Sequence, residues 1–361
     1  MQYTKLKDIN EYVSISINPM KLPDTMFEMY SVPIYETGHP EYLSGNEIGS
    51  NKVIVKKNDV LLCKINPRIN RVWVVSDESE HQSIASSEWI VIRSNTYNPE
   101  FLAWYFRCPK FKKLMISEVT GIGGSLTRAQ PKAVAEYPVP VLSIDEQEKI
   151  VGVLNKVNSI IGARKRELQK LDELIKARFV ETFGEEYPED TLLNLCNIID
   201  YRGKTPEKAD EGLPFITAKN VKMHQMSLEP REYISKETYD RVMVRGFPKE
   251  GDVVFTTEAP LGNVCRIPHF DTEFYIGQRI VTMQTNILNP IYLEYALSDD
   301  KFVRKYMEKS SGSTVTGIRV RLLEKLTIPI PPRALQDDFG AFVEQVDKSK
   351  QAREYSGKLA A

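Results

Sequence analysis

The sequence predicts an α+β chain: two tandem mostly β domains with short helices, each followed by a long helix. Three observations predict it. A set of segments recurs in the same order at an offset of about 190 residues. Within each copy, β-branched runs alternate with Gly, Pro, Asn and Asp turns. Between the copies, residues 145–183 contain no proline and carry apolar residues at seven-residue spacing. A chain of 361 residues that is 42% hydrophobic and 27% charged suits two such domains.

The repeat fixes the elements in turn. KKNDVLLCKI at 56–65 matches KEGDVVFTTE at 249–258, each a turn leading into a buried strand. VWVV, WIVI, VVFT and RIVTMQT read as further strands. Asn98-Pro99 and Asn289-Pro290 each open a helix, with Asn as cap and Pro in the first turn. GGSLTRAQPKAVAEYPVPV at 123–141 matches GSTVTGIRVRLLEKLTIPI at 312–330, and Gln147 and Gln336 follow. The Pro-rich ends of these segments close each copy, because Pro continues neither a helix nor a central strand.

The resulting boundaries are 1–142 for the first domain, 143–184 for the long helix, 185–333 for the second domain and 334–361 for a second helix. In the long helix one seam position reads Ile150, Val157, Arg164, Leu171, Arg178, and the other Leu154, Ile161, Leu168, Ile175. About 35 helical residues span roughly 50 Å, the length of a spacer or an interaction surface. The second helix keeps the seam only at Phe339, Val343 and Val346, so it reads as shortened, and SKQAREYSGKLAA at 349–361 is expected to fray.

Chemistry-bearing patterns are sparse. Cys63, Cys108, Cys196 and Cys265 form no CxxC pair and the four histidines no HxxxH pair, so neither disulfides nor a bound metal is expected. Asn289-Pro290-Ile291-Tyr292 has the look of a flipped-base grip of amino-methyltransferases, yet its counterpart in the first copy carries Glu100 and Phe101. Gly203-Lys204-Thr205 lacks the upstream glycine of a P-loop, and Gly121-Ile122-Gly123-Gly124 lacks a surrounding βαβ unit. No stretch nears the roughly 20 apolar residues of a membrane span. The N-terminus has no apolar signal core, so a cytoplasmic chain with no membrane partner is expected.

Local charge says more than the net charge of −1. Segment 101–132 holds Arg107, Lys110, Lys112, Lys113, Arg128 and Lys132 against Glu118. The equivalent 301–325 holds Lys301, Arg304, Lys305, Lys309, Arg319, Arg321 and Lys325 against Glu308 and Glu324. Two basic stretches at equivalent places suit a two-footed phosphate-binding surface.

With these features in hand, the sequence resembles the specificity subunits of type I restriction–modification systems. The resemblance rests on Asp200-Tyr201-Arg202-Gly203-Lys204-Thr205-Pro206, GLPFITAKNV at 212–221, Gly251-Asp252-Val253, GSTVTGIR at 312–319 and the Pro exit leading to Asp145-Glu146-Gln147. It implies two target recognition domains, each reading half of a bipartite DNA site, and two long helices paired as an antiparallel coiled coil. It further implies double-stranded DNA, two methyltransferase subunits and, through them, restriction subunits as partners. No cofactor would belong to this chain; S-adenosylmethionine, ATP and Mg would belong to partners. The first copy has ISINPMKLPD at 15–24 in place of the Arg-Gly-Lys-Thr-Pro run, which implies an asymmetric target.

Residue chemistry then selects contacts, since Arg suits guanine, Asn and Gln suit adenine, and Lys, Ser and Thr suit phosphate. In the second copy these are Arg202, Lys204, Thr205, Lys219, Asn220, Gln278, Arg279, Ser313, Thr314, Thr316 and Arg319. In the first they are Lys64, Asn66, Arg68, Asn70, Arg71, Gln82, Ser125, Thr127, Arg128 and Lys132. Helix pairing would use Ile150, Leu154, Val157, Ile161, Leu168, Leu171, Ile175, Phe339, Val343 and Val346. Two other readings stay open: a self-sufficient adenine methyltransferase using the Asn289 motif, and a helix-linked protein-interaction scaffold.

Overall fold

A computed structural model describes the chain from Gln2 to Lys358, apart from residues 77–78, 118, 121–126, 202, 204–205 and 313–314, with side chains as far as Gln351. The chain divides into two compact units, Met1–Arg164 and Lys165–Ala361.

In the first unit the apolar run after Asp59 becomes the fully buried strand Val60–Cys63. It is the centre of a three-stranded antiparallel sheet, between Val72–Val74 and Trp89–Ile92. A five-stranded sheet runs in the order Ser16–Ile17, Lys52–Ile54, Gln82–Ser86, Met26–Tyr30, Glu41–Ser44, and only Met26–Tyr30 and Gln82–Ser86 run parallel. The turn that launches the central strand is built by Asp59, which is fully buried. Its Oδ2 accepts from the Lys56 amide at 2.9 Å, and its two oxygens take Arg93 Nε and Nη2 at 2.6 Å each.

The second unit repeats the plan. Val253–Thr256 pairs antiparallel with Val264–Arg266 on one side and Ile280–Gln284 on the other, and Asn197–Asp200 extends the sheet. Leu213–Ile216 and Tyr275–Ile276 form the parallel pair, with Tyr233–Ile234 beside them. Asp252 stands where Asp59 does, accepting from the Lys249 amide and from Gln284 Nε2, each at 2.7 Å. Here a neutral amide replaces the Arg93 fork, and burial pushes the Asp252 carboxyl above its ordinary range. The Pro-rich exits are short edge strands: Pro138–Pro140 pairs with Tyr3–Lys5, and Thr327–Pro329 with Glu189–Thr191.

Both Asn-Pro dipeptides start helices as expected. Asn98 Oδ1 accepts from the amides of Glu100 and Phe101, and Asn289 Oδ1 from that of Ile291. The long helix is Ile144–Phe183, 40 residues, opened by a reciprocal bond set between Ser143 and Glu146. The last helix is Arg333–Lys358. Within the second unit these two helices pack through Ile175, Phe179 and Phe183 against Phe339, Val343 and Val346. The rings of Phe179 and Phe183 each lie 5.5 Å from that of Phe339. They run antiparallel, since Phe183 meets Phe339 whereas the earlier Asp172 meets Lys350 at 2.6 Å.

Two sequence expectations are corrected. The seam is not buried along its whole length: Ile150, Val157 and Ile161 are 37%, 47% and 49% exposed, and Leu154 and Leu168 are only half-buried. Apolar spacing marks a face that can pack, but the packing needs a facing side chain, which Leu171 and Ile175 have in the second-unit core. The terminal segment does not fray at Ser349; it is helical to Lys358, in keeping with the strong helix propensity of its Lys, Gln, Ala and Arg. Among the described residues, no helix is long and apolar enough to cross a membrane.

Candidate functional site

At the end of the central strand of each unit, three loops are fastened by equivalent backbone bonds. In the first unit Lys64 N donates to Glu88 O at 3.0 Å, and Lys64 O accepts from Ala129 N at 2.8 Å. In the second, Thr257 N donates to Arg279 O at 2.8 Å, and Thr257 O accepts from Ile318 N at 2.9 Å. The bridges Ile65–Arg128 and Glu258–Gly317 repeat the match. Gly317 lies so close that an added Cβ would meet Thr257 O at 3.1 Å.

The side chains on this shared frame differ. In the first unit Asn66 and Asn70 take φ of 48° and 57°, a left-handed conformation Asn tolerates better than most residues. Asn66 N donates to Thr127 O at 2.9 Å, and Lys64 Nζ to Ser87 O at 2.6 Å. Arg128 Nη2 pairs with Glu88 Oε1 at 3.1 Å. The second unit reverses the signs: Arg279, itself at φ 75°, pairs through Nε with Glu258 Oε1 at 2.7 Å.

The fold thus gathers Lys64, Asn66, Arg68, Asn70, Arg71, Thr127 and Arg128 onto one loop system, and Gln278, Arg279, Thr316 and Arg319 onto its counterpart. It does not gather the rest. Gln82 begins the strand whose other end leads to Glu88, and Lys132 lies exposed in the short helix Pro131–Val134. Lys219 pairs with Glu232 at 3.7 Å. Asn220 is withdrawn as a base reader: it is 1% exposed. Its Oδ1 accepts from Thr217 N and Oγ1, and its Nδ2 donates to Ser227 O and Pro230 O. Ser125, Arg202, Lys204, Thr205, Ser313 and Thr314 lie outside the described residues. Two of the basic residues do structural work, Arg107 donating to Val72 O and Lys305 pairing with Glu189.

Sequence reasoning passed over Glu88 and Glu258, because base contacts were sought among donors and amides. The alignment of Ser87-Glu88 with Gln278-Arg279 across the repeat was the available signal. The Asn289 motif is taken up by the fold: Asn289 caps its helix, and buried Tyr292 donates to Pro329 O at 2.9 Å. Burial pushes the Cys196 and Cys265 thiols up to about 12, far from nucleophilic thiolates at neutral pH. Among the described residues no three His, Cys, Asp or Glu side chains gather as a metal site.

The fold and these loop ends define a class: duplicated α+β proteins whose two copies present the same loop frame with different side chains. Residues 185–356 match the type I restriction modification DNA specificity domain. The chain is 20% identical to the type I restriction enzyme MjaVIII specificity subunit of Methanocaldococcus jannaschii, over 83% of this chain and 75% of the relative. It is 22% identical to the putative MjaX specificity subunit of the same organism, over 95% and 86%. Among solved structures, a chain of a type I restriction–modification assembly has a TM-score of 0.57 at 21% identity, covering 98% of this chain and 93% of that one. The type I S subunit of M. genitalium has a TM-score of 0.55 at 11% identity, covering 98% and 91%. The second half of the chain thus matches a type I specificity domain, and the chain as a whole is similar in sequence and fold to type I specificity subunits.

Proposed function

We propose that this chain is the non-catalytic, sequence-reading subunit of a cytoplasmic type I complex. Each unit reads one half of a bipartite, asymmetric target in double-stranded DNA. The long helices set the spacing of the half-sites and dock two methyltransferase subunits, through which restriction subunits join. Methyl transfer and cleavage, with S-adenosylmethionine, ATP and Mg, belong to those partners.

The observation that carries this reading is the loop frame present in both units with different side chains on it. Equal scaffolds with unequal polar tips are what two related but distinct half-sites require, because base edges differ in donors and acceptors while phosphates do not. A helix of 40 residues is about 60 Å long, enough to span roughly 17 base pairs at 3.4 Å each.

The test is a genome-wide map of methylated adenine in cells expressing the chain with a methyltransferase partner. The expected outcome is a bipartite asymmetric motif with a fixed gap. Methylation without sequence preference would overturn the reading.

A further inference from the structure

The first unit gathers several buried polar atoms that make no hydrogen bond among the described residues. Asn66 Oδ1, Asn70 Oδ1, Arg71 Nε and Glu88 Oε2 are shut from solvent and unbonded in this sense, though Arg71 Nε lies 3.8 Å from Glu36 Oε1 and Glu88 pairs through its other oxygen with Arg128. Three sit on one loop of six residues, and Glu88 is tied to that loop through Lys64. Buried polar groups are nearly always paired in folded chains, so a group of unpaired ones marks a place where something else supplies the partner. Resting on the reading above, a base edge would supply the partner of Glu88 once its pair with Arg128 opens.

We infer that the position held by Glu88 in the first unit and Arg279 in the second is a base-reading position, and that its reversed charge gives the two half-sites opposite preferences. A carboxylate only accepts. In the major groove, cytosine N4 and adenine N6 offer amino donors, whereas guanine offers only the acceptors N7 and O6. Glu88 therefore selects an amino-bearing base and rejects guanine, while Arg279 selects guanine. In the free chain each is held by the neighbouring loop, Glu88 by Arg128 at 3.1 Å and Arg279 by Glu258 at 2.7 Å. All four side chains are at least a quarter exposed, so either pair can open. On DNA a phosphate takes the Arg128 guanidinium, and the released carboxylate turns to the base.

The experiment compares methylation maps of complexes assembled with the wild-type chain, Glu88→Gln and Arg128→Gln. The wild-type motif should carry cytosine or adenine at one position of the first half-site, and the map tells which. Glu88→Gln should relax that position about tenfold and leave every other position, and the second half-site, unchanged. Arg128→Gln should weaken methylation without changing base preference. The inference is overturned if Glu88→Gln alters no position, if it weakens the whole half-site evenly, or if Arg128→Gln relaxes the same single base. With a bipartite wild-type motif, those outcomes sink this inference alone. A wild-type complex with no motif sinks the function it rests on.

Discussion

Gln147 and Gln336 are fully buried, and each joins the start of a short helix to the chain that enters a long one. Gln147 Oε1 accepts from Asn98 N at 2.8 Å while its Nε2 donates to Leu142 O at 3.0 Å. Gln336 does the same with Asn289 N and Pro331 O, both at 2.8 Å. Each amide satisfies one backbone donor and one backbone acceptor. Gln147→Ala or Gln336→Ala should each destabilise the chain by about 2–3 kcal/mol, read by urea unfolding, because two buried main-chain groups lose partners. A change below about 0.5 kcal/mol would show that rearrangement replaces the clasp. The spacing of the two glutamines was visible in the sequence, but their task was not, since it depends on where two distant loops meet. Asn220 teaches the converse: residue type marked it as a base reader, and only its four internal hydrogen bonds remove it.

Element by element, what was legible followed the reach of local physics. Strands with β-branched residues between turn signals, and helices opened by Asn-Pro, form where the sequence places them because both depend on near neighbours. The helix seam is different. Periodicity predicts a packable face, yet Ile161 stays exposed while Phe339 is buried among Phe179, Phe183 and Tyr295. Phe339→Ala should accordingly cost about 3–5 kcal/mol in unfolding of the isolated chain, through lost ring contacts and a cavity. Ile161→Ala should stay within about 0.5 kcal/mol. Equal losses for the two would mean that the seam is closed along its length in solution.

Across the whole molecule, the net charge of −1 is uninformative about a polyanionic partner, and the arrangement of cores is more telling. Each hydrophobic cluster draws its residues from one unit: Leu6 to Val151 in the first, Ile175 to Val346 in the second. A unit with its own core can be exchanged without unfolding the other, and effects at distant, independent sites add. The junction sets one condition, that a donor domain bring an Asn-capped helix whose first amide meets Gln147, as Asn98 does. If each unit reads one half-site as proposed, replacing residues 1–142 with a recognition domain that meets it should change the first half-site of the methylation motif and leave the second as it was. An unchanged motif would mean that the first unit reads no bases. Changes in both half-sites would mean that the units do not read independently, and the reversed pairs at Glu88 and Arg279 would then have to be understood as one coupled surface instead of two.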